Sequence, residues 1–157
     1  SSGVFGKPDF GLIRQKLRAL IAQHDLAHAK TALAGMLRAG QGGERDAKAA
    51  LALYRSAAEQ RDGRASLELA TMLYQGRGAK KDHKQAYKQA SKAAKAGFRD
   101  GEYLAAFMLS RGQGVAKSEK RALRLFRSMS YFFIALRTRS DVTWPCFESA
   151  ASAATTT

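Results

Sequence analysis

The sequence predicts an all-α fold, an α-solenoid of antiparallel helix pairs with about three repeats, and three observations carry that expectation. A three-residue mark recurs, since Gly40-Gln41-Gly42, Gly76-Arg77-Gly78 and Gly112-Gln113-Gly114 stand 36 residues apart. Such a period belongs to stacked units, none of which can bury its apolar face alone. The same step carries Ala34, Ala70 and Ala106, then Met36, Met72 and Met108, then Leu37, Leu73 and Leu109, then Ala50, Ala86 and Ala122. Finally, 157 residues hold 2 prolines, which leaves room for nearly continuous helix because proline breaks helix interiors.

Taken in order, residues 1–9 form a lead-in without periodicity, 10–137 the repeat domain and 138–157 an irregular tail. Phe10, Ile13, Leu17, Leu20, Ile21 and His24 follow helical spacing, with Asp9 as a cap. This leading helix, 10–24, lies 36 residues before the second helix of the first unit, so it stands as the closing helix of a degenerate earlier unit, with Arg14 where Ala50 falls. Terminal units are atypical because they cover an open end of the stack. Paired helices are then expected at 26–39 and 47–60, 64–75 and 83–96, and 100–111 and 119–137.

The turn chemistry explains the pairing. The first glycine supplies the left-handed residue that ends a helix, and the second lets the chain reverse tightly. Asp46, Asp82 or Ser118 then caps the next helix, and Gln85 is placed to complete a capping box with Asp82. Ala34, Ala50, Ala57, Ala58, Ala86, Ala93 and Ala94 allow close helix approach, while Leu33, Leu37, Leu53, Tyr54, Leu69, Leu73, Tyr87, Leu109 and Phe126 fill the space between. The long closing helix differs: Met129 to Leu136 is apolar on all sides. Such a helix needs cover from a partner or from the tail. Tyr131, Phe132, Phe133, Ile134, Leu136 and Trp144 are therefore the candidate protein interface.

The repeated residues resemble the Sel1-like repeat family, relatives of the tetratricopeptide repeats. The middle unit shows that pattern as Ala65, Leu69-Ala70, Leu73-Tyr74, Gly76-Arg77-Gly78, Asp82, Ala86, Ala93-Ala94 and Gly97. The third has Ala106, Leu109, Gly112-Gln113-Gly114-Val115, Ala122 and Phe126, and departs at Ser110, Ser118 and Met129-Ser130. The resemblance covers about residues 28–130. It implies adaptors that present a concave surface to other proteins, with no catalytic residues to carry over.

Charge is unevenly spread. The chain is +14 overall, and residues 77–139 hold 16 basic against 4 acidic groups. Lys84, Lys88, Lys92 and Lys95 share one sector of a helix, and Lys117, Lys120, Arg121, Arg124 and Arg127 repeat the arrangement one unit later. Like charges at i,i+4 cost about 0.2–0.5 kcal/mol per pair, so these nine residues are the candidate polyanion-binding wall. The expected contact is structured RNA, read by phosphate and shape since no aromatic stacking platform interrupts the charge, or anionic lipid headgroups or an acidic protein surface.

Other chemistry finds no carriers. His24-Asp25-Leu-Ala-His28 has helical zinc spacing but no third ligand, and Asp25 is better used as a cap. The Gly-x-Gly turns lack the strand and the Gly-Lys-Ser/Thr of a phosphate loop, and His83 has no triad partner. A lone Cys146 gives no disulfide framework. No cofactor, metal or small-molecule substrate is expected, and no run reaches the roughly 18 apolar residues of a membrane span.

The expectation for function is a non-enzymatic scaffold or adaptor that meets other protein subunits. Beginning at Ser1, the sequence is either a processed chain or a fragment; if processed, its basic, acid-poor character suits import into mitochondria. The assembly expected first is a mitochondrial ribosome with the basic wall toward RNA. An accessory subunit of a respiratory or ATP synthase complex comes second, and a free peptide-binding adaptor third.

Overall fold

A computed structural model describes residues 8–137, with side chains as far as Met129. It contains seven helices among the described residues: α1 (Phe10–His24), α2 (Ala27–Ala39), α3 (Ala47–Glu59), α4 (Gly63–Gln75), α5 (His83–Lys95), α6 (Arg99–Arg111) and α7 (Glu119–Arg137). Each packs on the next, α2 with α3, α4 with α5 and α6 with α7 forming the units, and α3 with α4 and α5 with α6 joining them. The fold is the antiparallel helix-pair solenoid that the period predicts.

The repeated turn is held by main-chain geometry. Gly40, Gly76 and Gly112 adopt left-handed φ of 74, 74 and 67°. The following N–H groups of Gln41, Arg77 and Gln113 each donate 2.9 Å to the carbonyls of Met36, Met72 and Met108, the six-to-one closure of a glycine-ended helix. Asp46, Asp82 and Ser118 then serve twice. Their side chains accept from Ala49, Gln85 and Arg121 N–H at 2.9, 3.0 and 3.4 Å. Their own N–H groups donate back to Leu37, Leu73 and Leu109 carbonyls at 2.9, 3.1 and 3.0 Å. The reciprocal half of the expected Asp82–Gln85 box therefore does not form, because the Asp82 N–H is already committed to Leu73.

The second glycine of each mark does more than reverse the chain. A Cβ on Gly42 would sit 2.4 Å from the Phe10 carbonyl oxygen, one on Gly78 2.4 Å from that of Ala47, and one on Gly114 2.1 Å from that of His83. Each turn thus lies directly on the first turn of the preceding second helix, with main chain against main chain. That Gly42 meets α1 as Gly78 meets α3 places α1 as the closing helix of an earlier unit. The arginine that stands there in place of alanine, Arg14, is buried: its Nη2 donates 3.2 Å to the Glu44 carbonyl, while its Nε meets no acceptor among the described residues.

The core is built from small and large residues in alternation. Ala34, Ala50, Ala57, Ala65 and Ala86 are fully buried and let the helices approach, while Tyr54, Leu69, Met72 and Met108 fill the gaps at 0–1% exposure. Burying side chains of that size is worth about 1.5–3 kcal/mol each. Ala94, Leu53, Tyr87 and Phe126 are only partly buried. Asp25 caps the C-terminal end of α1 in a left-handed conformation, φ 47°, and does not cap α2, which starts from Leu26 without a side-chain cap.

Candidate functional site

The first helices α2 and α4 line one edge of the stack. His28, Thr31, Gly35 and Arg38 of α2 face Arg64 and Glu68 of α4 across a groove floored by Tyr54. Arg38 and Glu68 pair across it at 3.1 Å. Thr31 donates 2.7 Å to Asp62, whose carboxylate also accepts from the N–H groups of Arg64 and Ala65 at 2.9 and 3.3 Å. Asp62 is 8% exposed, so its charge is answered by three donors, two that cap α4 and one, from Thr31, that ties α2 to it. Burial raises the Tyr54 phenol above its ordinary pKa, with the Glu68 carboxylate adding to the shift.

Stepping along the repeat changes the character of this edge. Thirty-six and 72 residues after Thr31 stand Leu67 and Tyr103, and after Gly35 stand Thr71 and Phe107. Tyr103 stacks on Phe107 with centroids 6.3 Å apart and meets Phe126 edge-on at 6.0 Å. Phe107 meets Tyr74 edge-on at 6.2 Å and carries the Arg111 guanidinium 4.7 Å above its ring. The equivalent positions therefore run from polar and small in the first unit to aromatic in the third. Sequence reasoning placed Phe126 in the core and missed the row; the signal was the enlargement, at one repeat register, from glycine to threonine to phenylalanine.

The nine residues of the basic wall are all exposed. Lys117 pairs with Glu119 at 3.1 Å, and the other eight have no ion pair among the described residues. The two stripes belong to α5 and α7, with α6 packed against both. They approach at one end, where Gly114 rests on the backbone of His83 and Lys84, bringing Lys84 beside the loop that carries Lys117. The side chains of Tyr131, Phe132, Phe133, Ile134 and Leu136, and all of Trp144, lie outside the described residues.

Among the described residues, no group of His, Cys, Asp and Glu is placed to hold a metal ion. The two histidines of the zinc-like spacing fall at the end of α1 and in the first turn of α2. Between them Asp25 is engaged by Lys30, which is 5% exposed and also donates 2.7 Å to Ser56, and by Gln60 at 2.8 Å. The Lys30 hydrogen bond is the main cause that holds the Asp25 carboxyl below its ordinary pKa. No described helix is long and apolar enough to cross a membrane.

Solved structures share this architecture. A Sel1 repeat protein from Oxalobacter formigenes superposes with a TM-score of 0.73 at 24% identity, over 80% of this chain and 51% of that one. A protective antigen of uropathogenic Escherichia coli with an SLR fold gives 0.75 at 26% identity, over 78% and 26% respectively. Cysteine-rich protein B of Helicobacter pylori gives 0.56 at 23%, over 82% and 92%. The chain thus spans about half of the first protein and a quarter of the second. No curated protein sequence matches. The Sel1 repeat model matches residues 21–62, 63–98 and 99–130, the same three units that the glycine turns mark out. With sequence model, period and helix pairing in agreement, the chain belongs to the Sel1 repeat family.

Proposed function

We propose that this helical-repeat scaffold is a non-enzymatic adaptor that holds an extended segment of a partner protein along the edge lined by its first helices. Sel1 repeats generally mediate protein–protein interactions, and the feature supporting the reading in this chain is the aromatic row of Tyr74, Phe107 and Tyr103. Tyr103 leaves 38% of its surface exposed, and aromatic residues with a polar tip are favoured at protein contacts because they lose little side-chain entropy. A random peptide library selected against the chain tests it. Enriched peptides are expected to lose binding to Tyr103→Ala and to Gly35→Arg, which fills the groove, and to keep it for Lys88→Glu. Peptides indifferent to both groove variants would end the proposal.

A second reading rests on the eight basic side chains of α5 and α7 left without an ion pair among the described residues. It sets that flank against RNA phosphate in a ribonucleoprotein, the mitochondrial ribosome, with acidic lipid beside a respiratory or ATP synthase complex as the competing surface. The names of the compared proteins mention no ribosome or organelle, so charge alone supports it. Filter binding to ribosomal RNA should weaken steeply with salt and lose most of its affinity in a Lys84→Glu, Lys88→Glu, Lys92→Glu variant. Tighter binding to anionic vesicles than to RNA would favour the lipid setting.

A further inference from the structure

The groove between α2 and α4 has an unanswered polar group at its floor. Tyr54 is 1% exposed, yet its hydroxyl has no hydrogen-bond partner among the described residues. A buried hydroxyl without a partner is costly, so this one is a place for a ligand atom to bond. It opens on the groove because the residue beside it carries no side chain: a Cβ on Gly35 would sit 3.5 Å from the Tyr54 oxygen. The combination occurs once in the stack. In the next two units the equivalents of Gly35 and Tyr54 are Thr71 with Ala90 and Phe107 with Phe126, so neither has both a phenol and an opening beside it.

The charges around the floor select what bonds there. Two carboxylates line the groove and both are engaged, Glu68 by Arg38 at 3.1 Å and Asp62 by Thr31 and the N–H groups of Arg64 and Ala65. The Arg64 side chain lines the same groove, is exposed and has no ion pair among the described residues. An incoming ammonium or guanidinium would meet two cations and no free carboxylate. An incoming carboxylate would accept from the phenol and pair with Arg64, and bonds with an ionised acceptor are roughly twice as strong as neutral ones. With so little of Tyr54 uncovered, only a small group on a tether reaches its hydroxyl. An Asp or Glu side chain is such a group, and the main chain of a continuing segment is not.

We infer that the floor of the α2–α4 groove is a specificity pocket for one acidic side chain of the partner segment, whose carboxylate accepts from the Tyr54 hydroxyl beside Gly35 and pairs with the Arg64 guanidinium. The pocket rests on the reading of this edge as the seat of an extended partner segment, and it fixes the residue type that the segment carries at one position.

The test uses the full chain and a library of peptides of roughly eight residues, about 26–29 Å long when extended, acetylated and amidated so that every carboxylate is a side chain, beside the same library with free C-termini. Peptides whose binding is lost in Gly35→Arg are groove binders. Among the amidated peptides these are expected to share one Asp or Glu, and its replacement by Asn or Gln should weaken binding roughly tenfold. Tyr54→Phe removes the hydroxyl alone and breaks no hydrogen bond among the described residues, so the circular dichroism spectrum should be unchanged. It should weaken the acidic peptide roughly tenfold and its Asn or Gln analogue hardly at all, the coupling expected of a direct contact. Arg64→Gln should behave likewise. Groove binders with no acid in common, or an acidic peptide held equally by the unaltered chain and Tyr54→Phe, overturn the pocket and leave the adaptor reading standing, with water as the phenol's partner. Groove binding confined to the library with free C-termini also overturns it, by giving the floor to a chain end. If neither library contains a groove binder, the adaptor reading and the pocket fall together.

Discussion

Gly78→Ala separates two reasons for a glycine. Gly78 has φ 78°, and a Cβ there would lie 2.4 Å from the Ala47 carbonyl oxygen and 2.8 Å from its carbon. The left-handed backbone costs a non-glycine residue about 1–2 kcal/mol. Backbone cannot swing aside as a flexible side chain does, so the overlap forces the turn off α3 and adds roughly 1–3 kcal/mol, the range for overpacking. Gly97→Ala and Gly40→Ala are the internal controls. Their φ values are 87 and 74°, but a Cβ on Gly97 meets nothing within 4 Å, and one on Gly40 finds its nearest neighbour at an ordinary 3.5 Å. Both controls should pay the backbone term alone. Urea unfolding followed by circular dichroism should therefore put Gly78→Ala about 1–3 kcal/mol below either control. A broadened transition is also expected, because the lost contact joins two units. If all three substitutions cost the same, the turn does not rest on α3 and the account of how the units register is wrong.

Asp62→Ala removes a cap and the Thr31 bond that ties α2 to it, though Thr31 keeps the Ala27 carbonyl at 3.0 Å as an acceptor, so it should cost somewhat more than Asp46→Ala, about 1.5–2.5 against about 1 kcal/mol, by thermal or urea unfolding. The raised Tyr54 pKa means that the neutral phenol is favoured in the folded state; the stability this gives is present below pH 10.0, the ordinary value, and is lost as pH rises through the higher folded value. Tyr54→Phe should flatten the alkaline limb of the stability profile, which a urea titration across that range measures. Asp25 has the opposite sign: its lowered pKa gives stability present above 3.8 and lost as pH falls below it. Asp25→Asn should reduce the acid dependence in that window. An unchanged slope would show that its pair with Lys30 does not persist in solution.

Much of the architecture was legible because the period places each signal where its physics can be read. The helix limits expected from the turns agree with those observed to within a residue, as with 47–60 against Ala47–Glu59. What local pattern cannot supply is what lies across a contact. Gly42, Gly78 and Gly114 read as turn residues, yet the stronger constraint on them comes from the unit before. The clue was that a helix end needs one glycine and each mark keeps two. Asp62 was passed over as a cap because the equivalent positions in the neighbouring units are Leu26 and Phe98. Its bond from Thr31 exists in that unit, and Leu67 stands at the next equivalent of the threonine. The basic stripes of α5 and α7 were visible as like charges four residues apart, but sequence spacing could not show that α6 packs against both. The aromatic row lay at positions that hold small residues in the first unit, so it had no repeated pattern to announce it.

The seating of each Gly42-type residue on the helix behind it fixes the advance from one pair to the next without consulting any side chain. The curvature of the superhelix is in that sense gauged by the polypeptide itself. Residues lining the inside or decorating the outside can then diverge, from arginine and glutamate to tyrosine and phenylalanine, while the track they ride on keeps its pitch. A new recognition surface could be written onto α4 or α6 with no change to the three glycines, and the spacing between its contact points would be known in advance.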